Sequence, residues 1–160
     1  MIESLIITAL GTAVAISPTM AVTANHALLN EQVIAQSDKQ DIALISGVYD
    51  SFVQLECREL ERGEELTVSG YPVSLHPEDM SNYIQRNLLE DTGKYKGRVW
   101  NRDTRMYKTT ALGDSGSSGG AVTDSDGDLV GVYLGWNNIN SFDYGRFMSA
   151  CEIEELLVTY

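Results

Sequence analysis

A cluster of glycines and serines just before an apolar run is the stretch of this chain best suited to chemistry. It spans residues 113–122 and reads Gly-Asp-Ser-Gly-Ser-Ser-Gly-Gly-Ala-Val. Glycines on both sides of a serine let the backbone turn sharply and leave N–H groups free, as a nucleophile with an oxyanion hole requires. The same composition is common in simple turns, so the cluster alone is also consistent with a flexible loop.

A nucleophilic serine needs an imidazole to take its proton, and a histidine base must be one of two residues here, His26 or His76. His76 lies in the polar segment Leu-His-Pro-Glu-Asp, which favours a solvated surface histidine. His26 lies in Thr-Ala-Asn-His-Ala-Leu, just past a predicted strand. His26 is therefore the candidate base.

The base in turn needs a carboxylate that holds it in one tautomer, and Asp41 is the candidate. The apolar run Ile-Ala-Leu-Ile follows Asp41 and can bury its carboxylate behind the imidazole, where a fixed charge stabilises the imidazolium. Asp38 is the nearest alternative. Only 15 residues (41 minus 26) separate His26 from Asp41, which leaves room for one strand and two tight turns.

The motifs Thr-Ala-x-His, Asp-Ile-Ala-Leu and Gly-x-Ser-Gly-Gly-Ala-Val occur in an order that resembles the trypsin-like serine peptidases of the chymotrypsin fold. Around the serine, the chain is most similar to the bacterial high-temperature-requirement proteases. In these, the nucleophile segment leads into a strand, an Asp-Gly turn and a Leu-Ile-Gly-Val strand. The counterparts here are residues 118–122, 126–127 and 129–132. The resemblance covers roughly residues 11–150 and implies a serine endopeptidase that works through an acyl-enzyme without a cofactor.

Two serines compete for the role of nucleophile under this resemblance. Ser115 lies in a Gly-Asp-Ser-Gly pattern like that of trypsin, and Ser118 in the Ser-Gly-Gly-Ala form. Counting from Ser118 places the Asp-Gly turn and the following strand without a gap, which favours Ser118. The backbone N–H groups of Gly116 and Ser118 would then form the oxyanion hole. Ser117 stands where trypsin has the aspartate that pairs with a new amino terminus, so we expect activity without that step.

The resemblance also locates a substrate pocket. Leu112 would lie near its base, and residues 133–136 would form its wall: Tyr133, Leu134, Gly135 and Trp136. No acid falls at the base to select arginine or lysine. The implied preference is for an apolar or small side chain before the cleaved bond.

Short β-rich runs separated by turn signals predict an all-β protein, and near-helical spacing at the carboxyl end predicts a terminal helix. With the resemblance, the expected fold is two antiparallel six-stranded-type β-barrels followed by that helix. The first barrel is expected over 1–73 with His26 and Asp41, a linker and hairpin over 74–95, and the second barrel over 96–160 with Ser118. Strands are predicted at 4–10, 12–17, 20–23, 31–36, 42–45, 51–56, 64–70, 96–100, 105–111, 120–123, 128–136 and 142–148, and the helix at 150–158.

A formal net charge of −12 argues against a phosphate-backbone partner. We therefore expect no nucleic acid partner. Protein or peptide substrates are what the resemblance implies. The apolar run over 6–16 is too short and too interrupted to span a membrane, and Glu3 lies where a signal peptide would be positive. These features favour a cytoplasmic or phage-associated or virus-associated peptidase.

Other signals are weaker. Cys57 and Cys151 are far apart and predict free thiols in a reducing compartment, with a single bridge as the alternative. The acidic segment 124–128 has calcium-loop spacing but a misplaced glycine, so a hairpin turn is predicted, and no metal site. Residues 116–120 also fit the Gly-x-Ser-x-Gly pattern of α/β-hydrolases. That fold places its histidine after the serine, and no histidine follows Ser118, so this interpretation is rejected. A non-catalytic or partner-dependent module that keeps the barrel fold is the alternative function.

Overall fold

The computed structural model describes residues 2–72, 87–101, 104–113, 117–139 and 141–159. Within these ranges the chain forms two antiparallel β-sheets and a helix at its carboxyl end. The predicted all-β fold class, with two chymotrypsin-like β units and a terminal helix, is confirmed. No helix in this part of the chain is long and apolar enough to cross a membrane.

The first sheet has five strands in the order β1-β2-β3-β5-β4. Its most apolar strand, β5, is buried over 42–45, as its unbroken Ile-Ala-Leu-Ile sequence predicted. Short 3-10 turns at Ile2–Ser4 and Asn25–Ala27 precede β1 and follow β3. The strands are β1 (Leu5–Ile7), β2 (Thr12–Ser17), β3 (Met20–Ala24), β4 (Val33–Ser37) and β5 (Ile42–Ser46).

The second sheet is a closed six-stranded barrel in the order β10-β11-β8-β7-β6-β9. The helix α1 (Ala150–Thr159) follows its last strand directly, and the buried side chain of Ile153 packs in the main hydrophobic core. The strands are β6 (Glu65–Gly70), β7 (Leu89–Asn101), β8 (Thr104–Thr109), β9 (Ala121–Thr123), β10 (Leu129–Ile139) and β11 (Phe142–Ser149).

The strand predicted over 51–56 does not form. This segment instead runs between the two sheets, where Leu55 makes an isolated parallel bridge with Leu129. The N–H of Val53 donates to the carbonyl of Ala15 in the first sheet, and the N–H of Glu56 donates to that of Leu129 in the barrel. Val53 and Leu55 pack against the core. The alternation of apolar residues in this segment therefore comes from side chains that cover the gap between the sheets.

The strand predicted over 64–70 forms as β6, but in a different sheet from the one expected. It pairs with β7 and β9 of the barrel, and Val68 faces Asp91 on one side and Val122 on the other. The linker predicted over 74–95 lies partly outside the described residues, and its described part contains the start of β7. Local periodicity identifies a strand but not its partners.

The expectation of free thiols is wrong, because Cys57 and Cys151 form a disulfide. The bond joins the segment between the sheets to the first turn of α1, across 94 residues of sequence. Disulfides persist in oxidising compartments, so the argument for a reducing compartment no longer holds.

Next to this disulfide, Arg58 binds two carboxylates. Its Nη2 lies 2.5 Å from Oε1 of Glu64 and 3.0 Å from Oδ2 of Asp124. The other oxygen of Asp124 accepts the N–H groups of Asp126 and Asp128, which confirms the predicted hairpin turn between β9 and β10. Hydrogen bonds from Arg58 hold the pKa of Glu64 below its usual value. At Asp124, burial raises the pKa of the carboxyl. Hydrogen bonds from Arg58 and from the backbone N–H groups outweigh this effect, so the pKa is lowered.

Replacing Arg58 with methionine should lower the free energy of unfolding by about 1–2 kcal/mol at neutral pH, because buried Asp124 loses a charged donor. Both carboxyl pKa values are lower in the folded state. Their contribution is therefore present above the unfolded pKa of about 4 and is lost as the pH falls. Urea titrations should show the difference in free energy of unfolding between Arg58→Met and wild type shrinking as the pH falls below about 4. A gap that does not change with pH would contradict this assignment.

Candidate active site

His26 lies in the single helical turn that follows β3. The turn closes through the N–H of Leu28, which donates to the carbonyl of Asn25. Ala27 is buried beneath it, while the side chain of His26 is 48% exposed. The turn therefore anchors the backbone on one side and presents the imidazole on the other.

Asp41 contacts His26 through both carboxylate oxygens. Oδ2 lies 2.5 Å from Nδ1 of the imidazole, and Oδ1 accepts the backbone N–H of His26 at 2.8 Å. The N–H of Asn25 donates to the carbonyl of Asp41. A carboxylate at Nδ1 favours the tautomer that carries its proton there, so Nε2 is left as an acceptor.

The alternative carboxylate, Asp38, takes a different partner. It accepts the side-chain amide of Asn25 at 2.7 Å and is exposed. Asp41, one residue before β5, has a φ of 57°. Because Ile42 pairs with Ala24, the preceding residue Asp41 lies beside the turn that carries His26.

Ser118 belongs to the barrel, but its backbone is bonded to the first sheet. Its carbonyl accepts the N–H of Thr12 in β2 at 2.9 Å. A Cβ on Gly11 would lie 2.5 Å from that carbonyl and 3.0 Å from Cβ of Ala27, the neighbour of His26. Gly11 therefore lies between the serine turn and the histidine turn, so the two turns are adjacent.

Gly119 makes this close approach possible. Its φ is 92°, and a Cβ there would lie 1.9 Å from the carbonyl oxygen of Thr12 and 2.4 Å from Oγ1 of Thr23. Its N–H donates to the carbonyl of Tyr133 at 2.7 Å. Only glycine fits this position, which gives the glycine that follows Ser118 a physical role.

The hydroxyl of Ser118 donates to the carbonyl of Leu134 at 3.3 Å. Within the described ranges, no hydrogen bond joins it to His26. The structure thus brings His26 and Asp41 into contact and places the backbone of Ser118 next to the turn that carries His26, with the Ser118 hydroxyl bonded to β10. Catalytic hydrogen bonds are often loose or misaligned without substrate, so this geometry alone does not argue against a catalytic pair.

Three residues weighed in the sequence lie outside the described residues. They are the alternative nucleophile Ser115, the expected oxyanion-hole residue Gly116 and the second histidine, His76.

The residues expected to form the substrate pocket differ in exposure. Tyr133 and Leu134 are each only 1% exposed, so their side chains belong to the core. Leu112 is half-buried, Gly135 has a φ of 136°, and 51% of Trp136 is exposed. On the described wall, Trp136 is therefore the large side chain that can touch a substrate.

Sequence reasoning missed Asp91, which lies on β7. Its Oδ2 accepts the N–H of Leu112 at 2.7 Å and so holds the expected pocket base in place. The acid is distant from Leu112 in sequence, and no local motif signalled this contact.

A family model described as a trypsin-like peptidase domain matches residues 14–132, which include His26, Asp41 and Ser118. The chain belongs to this family. The resemblance seen in the three motifs is confirmed. No match to a curated protein was found.

Solved structures share the fold of this trypsin-like domain at low sequence identity. The Rv3671c protease of M. tuberculosis H37Rv, in a mutant inactive form, is 19% identical with a TM-score of 0.73, covering 98% of this chain and 85% of that one. The MamO protease domain of Magnetospirillum magneticum is 14% identical with a TM-score of 0.67, covering 91% and 86%. The HtrA-type protease AlgW with a decapeptide is 19% identical with a TM-score of 0.71, covering 94% of this chain and 52% of that one.

Gly119→Ala should destabilise the domain by at least about 3 kcal/mol, because the new methyl group would overlap the carbonyl of Thr12. Gly127→Ala is the matched control. Gly127 also has a positive φ, 83°, but a Cβ there meets nothing within 4 Å. Its cost should be only the backbone strain of about 1–2 kcal/mol. Chemical denaturation of both variants checks this, and equal losses would show that Gly119 does not hold the two sheets together.

Proposed function

We propose that this chain is a serine endopeptidase in which His26 is the general base and then acid, Asp41 orients it, and Ser118 is the nucleophile. The observation that carries the proposal is the double contact of Asp41 with His26, beside the serine turn of a trypsin-like domain. Such a contact fixes the imidazole with Nε2 available to take a proton, which is the task of the base in acyl transfer.

In the proposed reaction, Ser118 Oγ loses its proton to Nε2 of His26 and attacks the carbonyl carbon of the scissile peptide. The tetrahedral intermediate collapses as His26 gives the proton to the leaving amine, which departs and leaves an ester on Ser118. Water, deprotonated by His26, then attacks the ester carbonyl, and His26 returns the proton to Oγ of Ser118 as the carboxylic acid product leaves. Asp41 stabilises the imidazolium in both halves, and the N–H groups of Gly116 and Ser118 are proposed to hold the oxyanion.

The first step requires the hydroxyl of Ser118 to leave the carbonyl of Leu134 and turn toward Nε2 of His26. We propose that this change is a rotation about χ1 of Ser118 to another staggered position. The hydrogen bond from Thr12 can therefore hold the serine turn in place while the side chain moves.

The proposed substrates are proteins or peptides, with an apolar or small residue before the cleaved bond. The indole of Trp136 is exposed and Leu112 is half-buried, and both are expected at this pocket, which supports an apolar contact with the substrate. Aromatic rings supply large contact areas at low entropic cost, so Trp136 would contribute strongly to substrate binding.

One observation favours a second candidate function, a binding module that has kept the fold without catalysis. The hydroxyl of Ser118 is bonded to Leu134 and not to His26. A chain that held this arrangement permanently could bind a peptide along the barrel without cleaving it.

Labelling with a fluorophosphonate probe separates the two functions. The wild-type chain should react, Ser118→Ala should abolish labelling, and His26→Ala should slow it by at least about a thousandfold. Ser115→Ala is the matched control and should react like wild type. Cleavage of a peptide library should likewise be lost in Ser118→Ala and His26→Ala and kept in Ser115→Ala. An unlabelled wild type would favour the binding module, and labelling lost in Ser115→Ala but kept in Ser118→Ala would overturn the choice of nucleophile.

A further inference from the structure

The turn that carries Asp41 is held in place by the second half of the molecule. This turn joins β4 to β5 and projects toward the barrel. The hydroxyl of Thr104 donates to the carbonyl of Lys39 at 2.9 Å, and the side-chain amide of Gln40 donates to Oε2 of Glu152 at 2.8 Å. Gln40 immediately precedes Asp41, so its position bears directly on the carboxylate.

Glu152 is a well-fixed acceptor. It lies in the first turn of α1, where the helix dipole favours a negative charge. Its other oxygen lies 3.4 Å from the hydroxyl of buried Tyr107. The preceding residue, Cys151, is bonded to Cys57, so the start of the helix is covalently tied to the segment between the sheets.

The turn needs such support because of the conformation of Asp41. Its φ of 57° places it in the left-handed region, which non-glycine residues adopt at a cost that aspartate tolerates better than most. This conformation directs both carboxylate oxygens at His26. A residue in a costly conformation persists only when its surroundings over-determine it.

We propose that Glu152 is a positioning residue for the His26–Asp41 pair. Through its hydrogen bond to Gln40 it keeps the turn in the conformation that points Asp41 at the imidazole. It acts only through Gln40 and touches no reacting atom. The inference rests on the proposed function for its effect on rate, but its effect on the imidazole can be measured without catalysis.

Three variants test the hydrogen bond itself. Glu152→Ala removes the acceptor, Gln40→Leu removes the donor at similar volume, and Glu152→Gln keeps an amide oxygen that can still accept. Glu155→Ala, an exposed position on the same helix, is the matched control. Glu152→Ala and Gln40→Leu should each slow fluorophosphonate labelling of Ser118 by about threefold to tenfold, because small displacements of a catalytic group cost rate steeply. The double variant should be no slower than either single one. Glu152→Gln and Glu155→Ala should react like wild type.

The tautomer of His26 provides the readout that does not depend on catalysis. Long-range proton–nitrogen correlation spectra at about pH 8 should show the neutral ring protonated at Nδ1 in wild type, since Asp41 accepts there. Glu152→Ala and Gln40→Leu should show a mixture of the two tautomers, and Glu152→Gln should restore the wild-type spectrum. An unchanged tautomer in folded Glu152→Ala and Gln40→Leu would overturn the positioning role. A mixed tautomer in a chain that no probe labels would support that role while contradicting the peptidase.

Discussion

The hydrogen bond from the N–H of Thr12 to the carbonyl of Ser118 is the contact on which the candidate site depends. It joins a strand of the first sheet to a turn of the barrel, and these two units supply different parts of the site. His26 and Asp41 come from the first sheet and Ser118 from the second. Since no single sheet holds all three, their relative position is set by the junction, where Gly11 and Gly119 allow the backbones to approach.

Further contacts across the same junction fix the position of one half of the chain relative to the other. The segment over 51–56 bonds to both sheets, and the disulfide between Cys57 and Cys151 ties it to the terminal helix. That helix in turn reaches back to the turn before Asp41 through Glu152. The first sheet is therefore supported by the second half on the side of the carboxylate as well as on the side of the serine.

Much of this arrangement can be read from the sequence, where the controlling interactions are local. The bounds of β2, the buried strand β5 and the terminal helix follow from apolar periodicity and turn residues. The choice of Asp41 as the partner of His26 follows from the apolar run behind it. Features that depend on distant partners were missed: the sheet that β6 joins, the disulfide, and the contact of Asp91 with Leu112. The orientation of the Ser118 hydroxyl also cannot be predicted from the sequence, because the rotamer depends on neighbours that only the fold brings together.

A crystal structure of the chain after reaction with a fluorophosphonate tests the central claim most directly. The account predicts phosphorus bonded to Oγ of Ser118, the hydroxyl released from Leu134, and Nε2 of His26 within about 3 Å of an oxygen on the adduct. Asp41 should still hold Nδ1 of the imidazole. An adduct on any other residue, or an imidazole that remains remote from the phosphonylated serine, would contradict the account.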